Sequence, residues 1–207
     1  MSPSQIVTAL SRPLPGPDAH LLVSHPARQL GVPDGVTPRE AGVLLLLYPD
    51  GYGALHFPLI ERASRHAADR HRGQIALPGG KREPEDDSIT ATALREAEEE
   101  VGVVREDVRV LGQLSPLYIP VSNFLVTATV GFAERRPDFV PQEAEVARVI
   151  EASAAELFEE RAVRHADMDV HGRLTLKQVP YFALAGERVW GATAMMLSEF
   201  RAALSVE

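Results

Sequence analysis

Cysteine is absent from the 207 residues. That excludes disulfides, thiol catalysis and Cys-based zinc sites. It fits a reducing compartment, and a cytoplasmic location is the expectation. Long apolar runs are also missing. The longest, residues 43–48, is far too short to span a bilayer. The N-terminus lacks a basic region followed by an apolar stretch, so no signal peptide is expected. Positive charge is scarce: 21 Lys and Arg stand against 29 Asp and Glu, a formal charge of −8. This argues against a general nucleic-acid or membrane-surface binder. No internal repeat is evident. Hydrophobic residues make up 45% of the chain, enough to bury a sizeable interior. The length suits one domain with a decorated core, as a monomer or homodimer. The expected division is an N-terminal extension over 1–36 packing on a single domain over 37–207.

What is present is concentrated in residues 74–103, QIALPGGKREPEDDSITATALREAEEEVGV. The stretch reads as strand, glycine turn, acidic loop and helix. Ile75 to Leu77 is a short apolar run that Pro78-Gly79-Gly80 stops. A helix is expected from near Ser88 to about Val101, with Gly102 closing it in a left-handed conformation. Ile89, Ala93, Ala97 and Val101 recur every fourth residue and share the buried face. Glu96, Glu99 and Glu100, spaced i, i+3, i+4, form a second stripe beside Glu98.

That stripe is physically costly. Like charges at i, i+4 destabilise a helix by roughly 0.2–0.5 kcal/mol per pair. They also lie in the last turn, where the macrodipole disfavours negative charge. One reading is a solvated acidic face. The other is a binding surface for a hard divalent cation, since carboxylate oxygens on one face suit Mg²⁺.

Residues 95–103, REAEEEVGV, choose between these readings. They resemble the second half of the Nudix box, REUXEEXGU with U aliphatic, Ala97 serving as a small U. Gly79-Gly80 resembles its glycine start. Asp87 stands where the family usually has Glu, one residue farther from Gly80 than in the general box. The resemblance implies an α/β fold, a Nudix α/β/α sandwich with a mixed sheet and the box as loop–helix–loop at one edge. It also implies Mg²⁺ or Mn²⁺ held by Glu96, Glu99 and Glu100, with a Gly79 or Gly80 carbonyl as a further ligand. Arg95 is expected to orient Glu99 or to pair with Asp87. The general base is left between Glu96, Glu99 and Glu145, and Glu145 reads equally as an exposed carboxylate at a strand end.

Around the box the reading is coarser. Residues 4–10 suggest a short helix. Residues 12–34, rich in Pro and Gly, are expected to wrap the surface, with Leu21, Leu22 and Val23 tacked onto the body. Residues 39–48 read as a buried strand and 55–60 as its hairpin partner across Pro49-Asp50-Gly51. Strands follow over 108–114 and in the second half of 117–132. Ser153 with Glu156 matches a capping box. A hairpin is expected around 170–172, and a final helix over 192–204. Met195 and Met196 read as core, and Trp190 as a packing anchor.

The segment ahead of the box is basic: Arg62, Arg65, His66, Arg70, His71 and Arg72, then Lys81 and Arg82. It reads either as a solvated loop offsetting the acidic helix or as a phosphate-binding rim, in which the planar Arg fork donates two hydrogen bonds at once. The two histidines read as loop or rim residues. Residues 59–80 are also similar to the coenzyme A diphosphatase branch, which carries a pattern like LLTxRS…HxGQxxFPGG. Here Glu61 replaces Thr and Leu77 replaces Phe. Residues 121–131, Glu145-Val146 and 189–194 look similar to the same branch.

This resemblance implies metal-dependent hydrolysis of the diphosphate of a coenzyme A-like nucleotide, giving 3′,5′-ADP and 4′-phosphopantetheine. Arg62, Arg70, Arg72, Lys81 and Gly79 would bind that substrate. Two alternatives stay open. One is a Nudix diphosphatase for ADP-ribose, NADH or a dinucleotide. The other is a nucleotide-binding regulator without turnover, although a pure binder has no need of the repelling carboxylates.

Overall fold

A computed structural model of the chain describes residues 1–26, 28, 31–63, 73–170 and 174–205. Helix α1 (Pro3–Leu10) opens with a reciprocal cap between Ser2 and Gln5. Helix α2 (Pro17–Leu21) follows. Then come β1 (Arg39–Pro49), β2 (Leu55–Arg62), β3 (Ile75–Ala76), β4 (Gly79–Lys81) and helix α3 (Ile89–Val101). Next are β5 (Arg109–Gln113), β6 (Leu117–Ile119), β7 (Phe124–Phe132), β8 (Val146–Ser153) and the short helix α4 (Ala154–Phe158). The chain ends with β9 (Val163–Val170), β10 (Leu174–Leu184), β11 (Glu187–Trp190) and helix α5 (Gly191–Ser205).

Strand β1 is the axis. It runs parallel to β7 from Arg39↔Phe124 to Leu47↔Phe132 and antiparallel to β4 from Ala41↔Lys81 to Val43↔Gly79. It meets β2 at Tyr48↔His56 and Pro49↔Leu55. From there β2 pairs with β8 and β3, while β5 and β6 close the other side through β7. The sheet is therefore mixed. Strands β9, β10 and β11 form a separate antiparallel sheet.

The run of four leucines in β1 is buried on both faces, which explains why it does not alternate with polar residues. Leu44, Leu46 and Tyr48 pack with Ala93, Ala97 and Val101 of α3. Leu45 and Leu47 point the other way, into the cluster holding Met195, Met196, Leu197 and Phe200 of α5. Alternate side chains of one strand thus glue a helix to each face, the α/β arrangement expected from the sequence.

Three local expectations are corrected. Gly79 and Gly80 do not simply stop a strand; they pair with β1 as β4. In the N-terminal segment Leu21 and Leu22 are exposed, and Ala19, His20 and Val23 supply the burial. The Ser153–Glu156 capping box is half formed. Ser153 Oγ accepts from the Ala155 N–H, while Glu156 reaches across to accept from the Ala185 N–H at 2.8 Å.

The N-terminal helices lie against α5 and β5. A buried carboxylate holds them there. Glu199 of α5 accepts from the N–H groups of Gly16 and Ser115 and sits 3.0 Å from His20 Nε2.

Candidate active site

Helix α3 carries most of the site, and its ends are set locally. Ser88 Oγ accepts from the Ala91 N–H at 3.1 Å. Gly102 terminates the helix with φ 73°, the left-handed cap expected of glycine. With Ala93, Ala97 and Val101 buried against β1, the carboxylate stripe is turned toward the edge where β4 runs. The stripe is not uniformly solvated. Glu99 is exposed, Glu96 is half-buried, and Glu100 retains only 2% of its surface.

Glu100 Oε2 accepts from the Gly79 N–H at 2.8 Å. Its Oε1 lies 3.8 Å from Arg62 Nη1 at the end of β2. Burial pushes its carboxyl up to about 7. The Gly79 N–H and Arg62 oppose that rise, and the charges of Glu96 and Glu145 add to it. Burial likewise raises Glu96, against the pull of Arg95 and with repulsion from Glu99 and Glu145.

Gly80 faces Glu96 so closely that a Cβ there would lie 2.4 Å from its carboxylate oxygen. A side chain at this position would evict the carboxylate. This steric reason for glycine is separate from turn chemistry.

Arg95 is the hub. Nε and Nη2 donate to the two oxygens of Asp86 at 2.9 and 3.0 Å. Nη1 donates to Glu96 and Glu99, both at 2.9 Å, and Nη2 also donates to the Lys81 carbonyl. The bidentate Asp86 partner raises the guanidinium pKa and holds the Asp86 carboxyl well below the usual carboxylate range.

The partner of Arg95 is therefore Asp86 and not Asp87, which is exposed. Asp86 is buried and also accepts from Thr92 Oγ1 and the Glu83 N–H. It stands at the general box's spacing from Gly80, so the extra residue falls on the helix side of the acid. The Asp-Asp doublet concealed this, because burial and the contacts with Arg95, Thr92 and the Glu83 N–H separate the two.

The later loop brings Glu145 to the same place. Its carbonyl accepts from the Ala63 N–H just beyond β2. Its side chain is half-buried and repels both Glu96 and Glu100. The structure thus brings together Arg62, Gly79, Gly80, Arg95, Glu96, Glu99, Glu100 and Glu145. Lys81 is at the margin, its ammonium 3.3 Å from Glu83. Arg65, His66, Arg70, His71 and Arg72 lie outside the described residues.

Among the described residues, no three carboxylate or imidazole side chains already converge as a metal cage; Arg95 stands between Glu96 and Glu99. The donor set still suits a hard divalent cation. It consists of oxygen ligands, two of them desolvated and repelled by further carboxylates, a cost that a cation would relieve. A cleft of about 530 Å³ elsewhere, lined by Gln5, Thr8, Phe158 and Leu204 among others, shares no residue with this site.

A family model described as the NUDIX domain matches residues 38–171. The chain belongs to the Nudix family. Among its relatives, a Pectobacterium atrosepticum protein called uncharacterized Nudix hydrolase NudL is 38% identical over 69% of this chain and 73% of its own length. A Yersinia pestis protein of the same description is 32% identical over 98% of this chain and 95% of its own. The crystal structure of a Nudix hydrolase from M. smegmatis, RenU, overlaps 63% of this chain and 82% of that one at 22% identity, with a TM-score of 0.49. As a Nudix hydrolase, the protein acts on the pyrophosphate bond of a nucleoside diphosphate derivative. Nudix hydrolases generally use divalent ions such as Mg²⁺ or Mn²⁺. No described helix is long and apolar enough to cross a membrane.

Proposed function

We propose that this Nudix hydrolase cleaves the diphosphate bond of coenzyme A or its derivatives, giving 3′,5′-ADP and 4′-phosphopantetheine or its acyl form. The supporting observation is the meeting of Arg62, from the segment similar to the coenzyme A branch, with Glu100 of the box at 3.8 Å. The arginine that opens this basic segment and the acidic helix share one site.

Glu96, Glu99, Glu100 and the Gly80 carbonyl would hold Mg²⁺ or Mn²⁺. Such an ion, when bound, neutralises the diphosphate and lowers the pKa of a coordinated water. The chain's own residues do the rest. Arg95 fixes Glu96 and Glu99 through Nη1 while Asp86 fixes Arg95. The Gly79 N–H holds the buried Glu100 carboxylate in place. Glu145, drawn to the same edge but outside the Arg95 fork, accepts the proton of the attacking water. Arg62, Arg70, Arg72 and Lys81 bind the phosphates of the substrate, beside the Gly79 backbone.

A product analysis tests this reading. The protein is incubated with Mg²⁺ or Mn²⁺ and coenzyme A, acetyl-coenzyme A, ADP-ribose, NADH, diadenosine tetraphosphate or 8-oxo-dGTP, and the products are separated by chromatography. Fastest release of 3′,5′-ADP, abolished by EDTA, supports it. Dominant AMP from ADP-ribose or NADH keeps the hydrolase and overturns the substrate.

A further inference from the structure

The segment between β7 and β8, residues 133–145, is tied down at three points, and each tie bears on Glu145. Near its start, Arg136 makes a two-pronged bond to Glu151 of β8, Nε and Nη2 each 2.7 Å from a carboxylate oxygen. The buried Tyr48 hydroxyl donates to the same carboxylate at 2.7 Å. Phe139 packs against both of these groups, its ring centre 5.7 Å from that of Tyr48 and 5.4 Å from the Arg136 guanidinium carbon.

In the middle, the Val140 and Gln142 N–H groups donate to the carbonyls of Val101 and Glu100, both at 2.9 Å. The last carbonyls of a helix have no partner within it; here the segment supplies two. It also lies on the helix cap, since a Cβ at Gly102 would come within 3.1 Å of Val140. At the far end the Glu145 carbonyl accepts from the Ala63 N–H at 2.8 Å. Glu145 and Glu100 thus belong to one hydrogen-bonded unit: the segment that carries the first caps the backbone of the second.

We infer that residues 133–145 form a strap and that Arg136 and Phe139 are its positioning residues, setting where the Glu145 carboxylate stands over the acidic edge of α3. This rests on the reading of Glu145 as the proton acceptor. The Arg136–Glu151 pair is half-exposed at Arg136, and pairs of that kind contribute little to global stability. Its consequence lies in geometry, because small misplacements of a catalytic group cost orders of magnitude in rate.

The test is a double-mutant cycle on the full chain with Mg²⁺ and coenzyme A, or with ADP-ribose if the product analysis points there. Arg136→Ala and Phe139→Ala are each expected to lower kcat about tenfold, with KM within about twofold and the fold retained. In a Glu145→Gln background the same substitutions are expected to change kcat by less than about twofold, since there is no base left to misplace. Should Arg136→Ala fail to fold, Arg136→Lys, which removes the fork but keeps the charge, is read by the same cycle. An unchanged kcat, or equal losses in both backgrounds, overturns the strap. A Glu145→Gln enzyme with undiminished kcat overturns the assignment of Glu145 itself and removes the strap's purpose with it.

Discussion

Arg95 and Asp86 face each other fork to fork, Nε to Oδ1 at 2.9 Å and Nη2 to Oδ2 at 3.0 Å, with the carboxylate buried. Everything Arg95 does toward Glu96 and Glu99 depends on this anchor, because a guanidinium held on two atoms cannot swing away from the helix.

Removing that anchor separates the two neighbouring aspartates. Asp86→Ala is expected to destabilise the fold by about 3 kcal/mol, the range for breaking a buried pair. Asp87→Ala, on an exposed residue, is expected to fall within about 0.5 kcal/mol of the wild type. Urea denaturation of both variants decides it; equal effects would return the role to Asp87.

The same pair sets a pH dependence. The folded Asp86 carboxyl is held below its ordinary value, chiefly by Arg95. Its stabilisation is therefore complete above the unfolded pKa, near 3.9. It is lost as pH falls from there through the lower folded value. The stability gap between wild type and Asp86→Asn should be constant from neutral pH to about 5 and close below about 4. A gap that instead opens on acidification would contradict the sign.

Glu100 should behave in the opposite way in stability and activity. Its ionised form is penalised by burial, and Gln can still accept from the Gly79 N–H. Glu100→Gln is expected to lower turnover at least about a hundredfold. In EDTA at pH 8, above the folded value of about 7, its Tm should be no lower than that of the wild type. Near-normal activity in the folded variant would remove Glu100 from the site.

Gly80→Ala probes the glycine that faces Glu96. A Cβ would sit 2.4 Å from the Glu96 carboxylate, so the acid must move. Turnover is expected to drop on the order of a hundredfold, with an unchanged circular dichroism spectrum. Full activity would mean that the Glu96 position is immaterial.

For the basic rim, Arg70→Ala or Arg72→Ala is expected to weaken coenzyme A more than dephospho-coenzyme A, by several-fold in KM, if the rim contacts the 3′-phosphate. Equal losses for the two substrates would rule that contact out.

The sequence by itself determined the helix, its cap and its stripe, because these depend on residues three or four apart. Ser88, the Ala93–Ala97–Val101 face and Gly102 work through local backbone geometry, which periodicity and cap chemistry describe directly. The Nudix box was legible for the same reason: its polar positions are fixed relative to one helix. Only the tertiary structure decided which of two adjacent aspartates meets Arg95, that Gly79-Gly80 pairs as a strand with β1, and that Glu100 is buried while Glu99 is not. It alone showed residues 133–145 capping α3 and bringing Glu145 beside Glu100. Those outcomes depend on which long-range neighbour excludes water and supplies a hydrogen-bond partner, and spacing along the chain does not encode that.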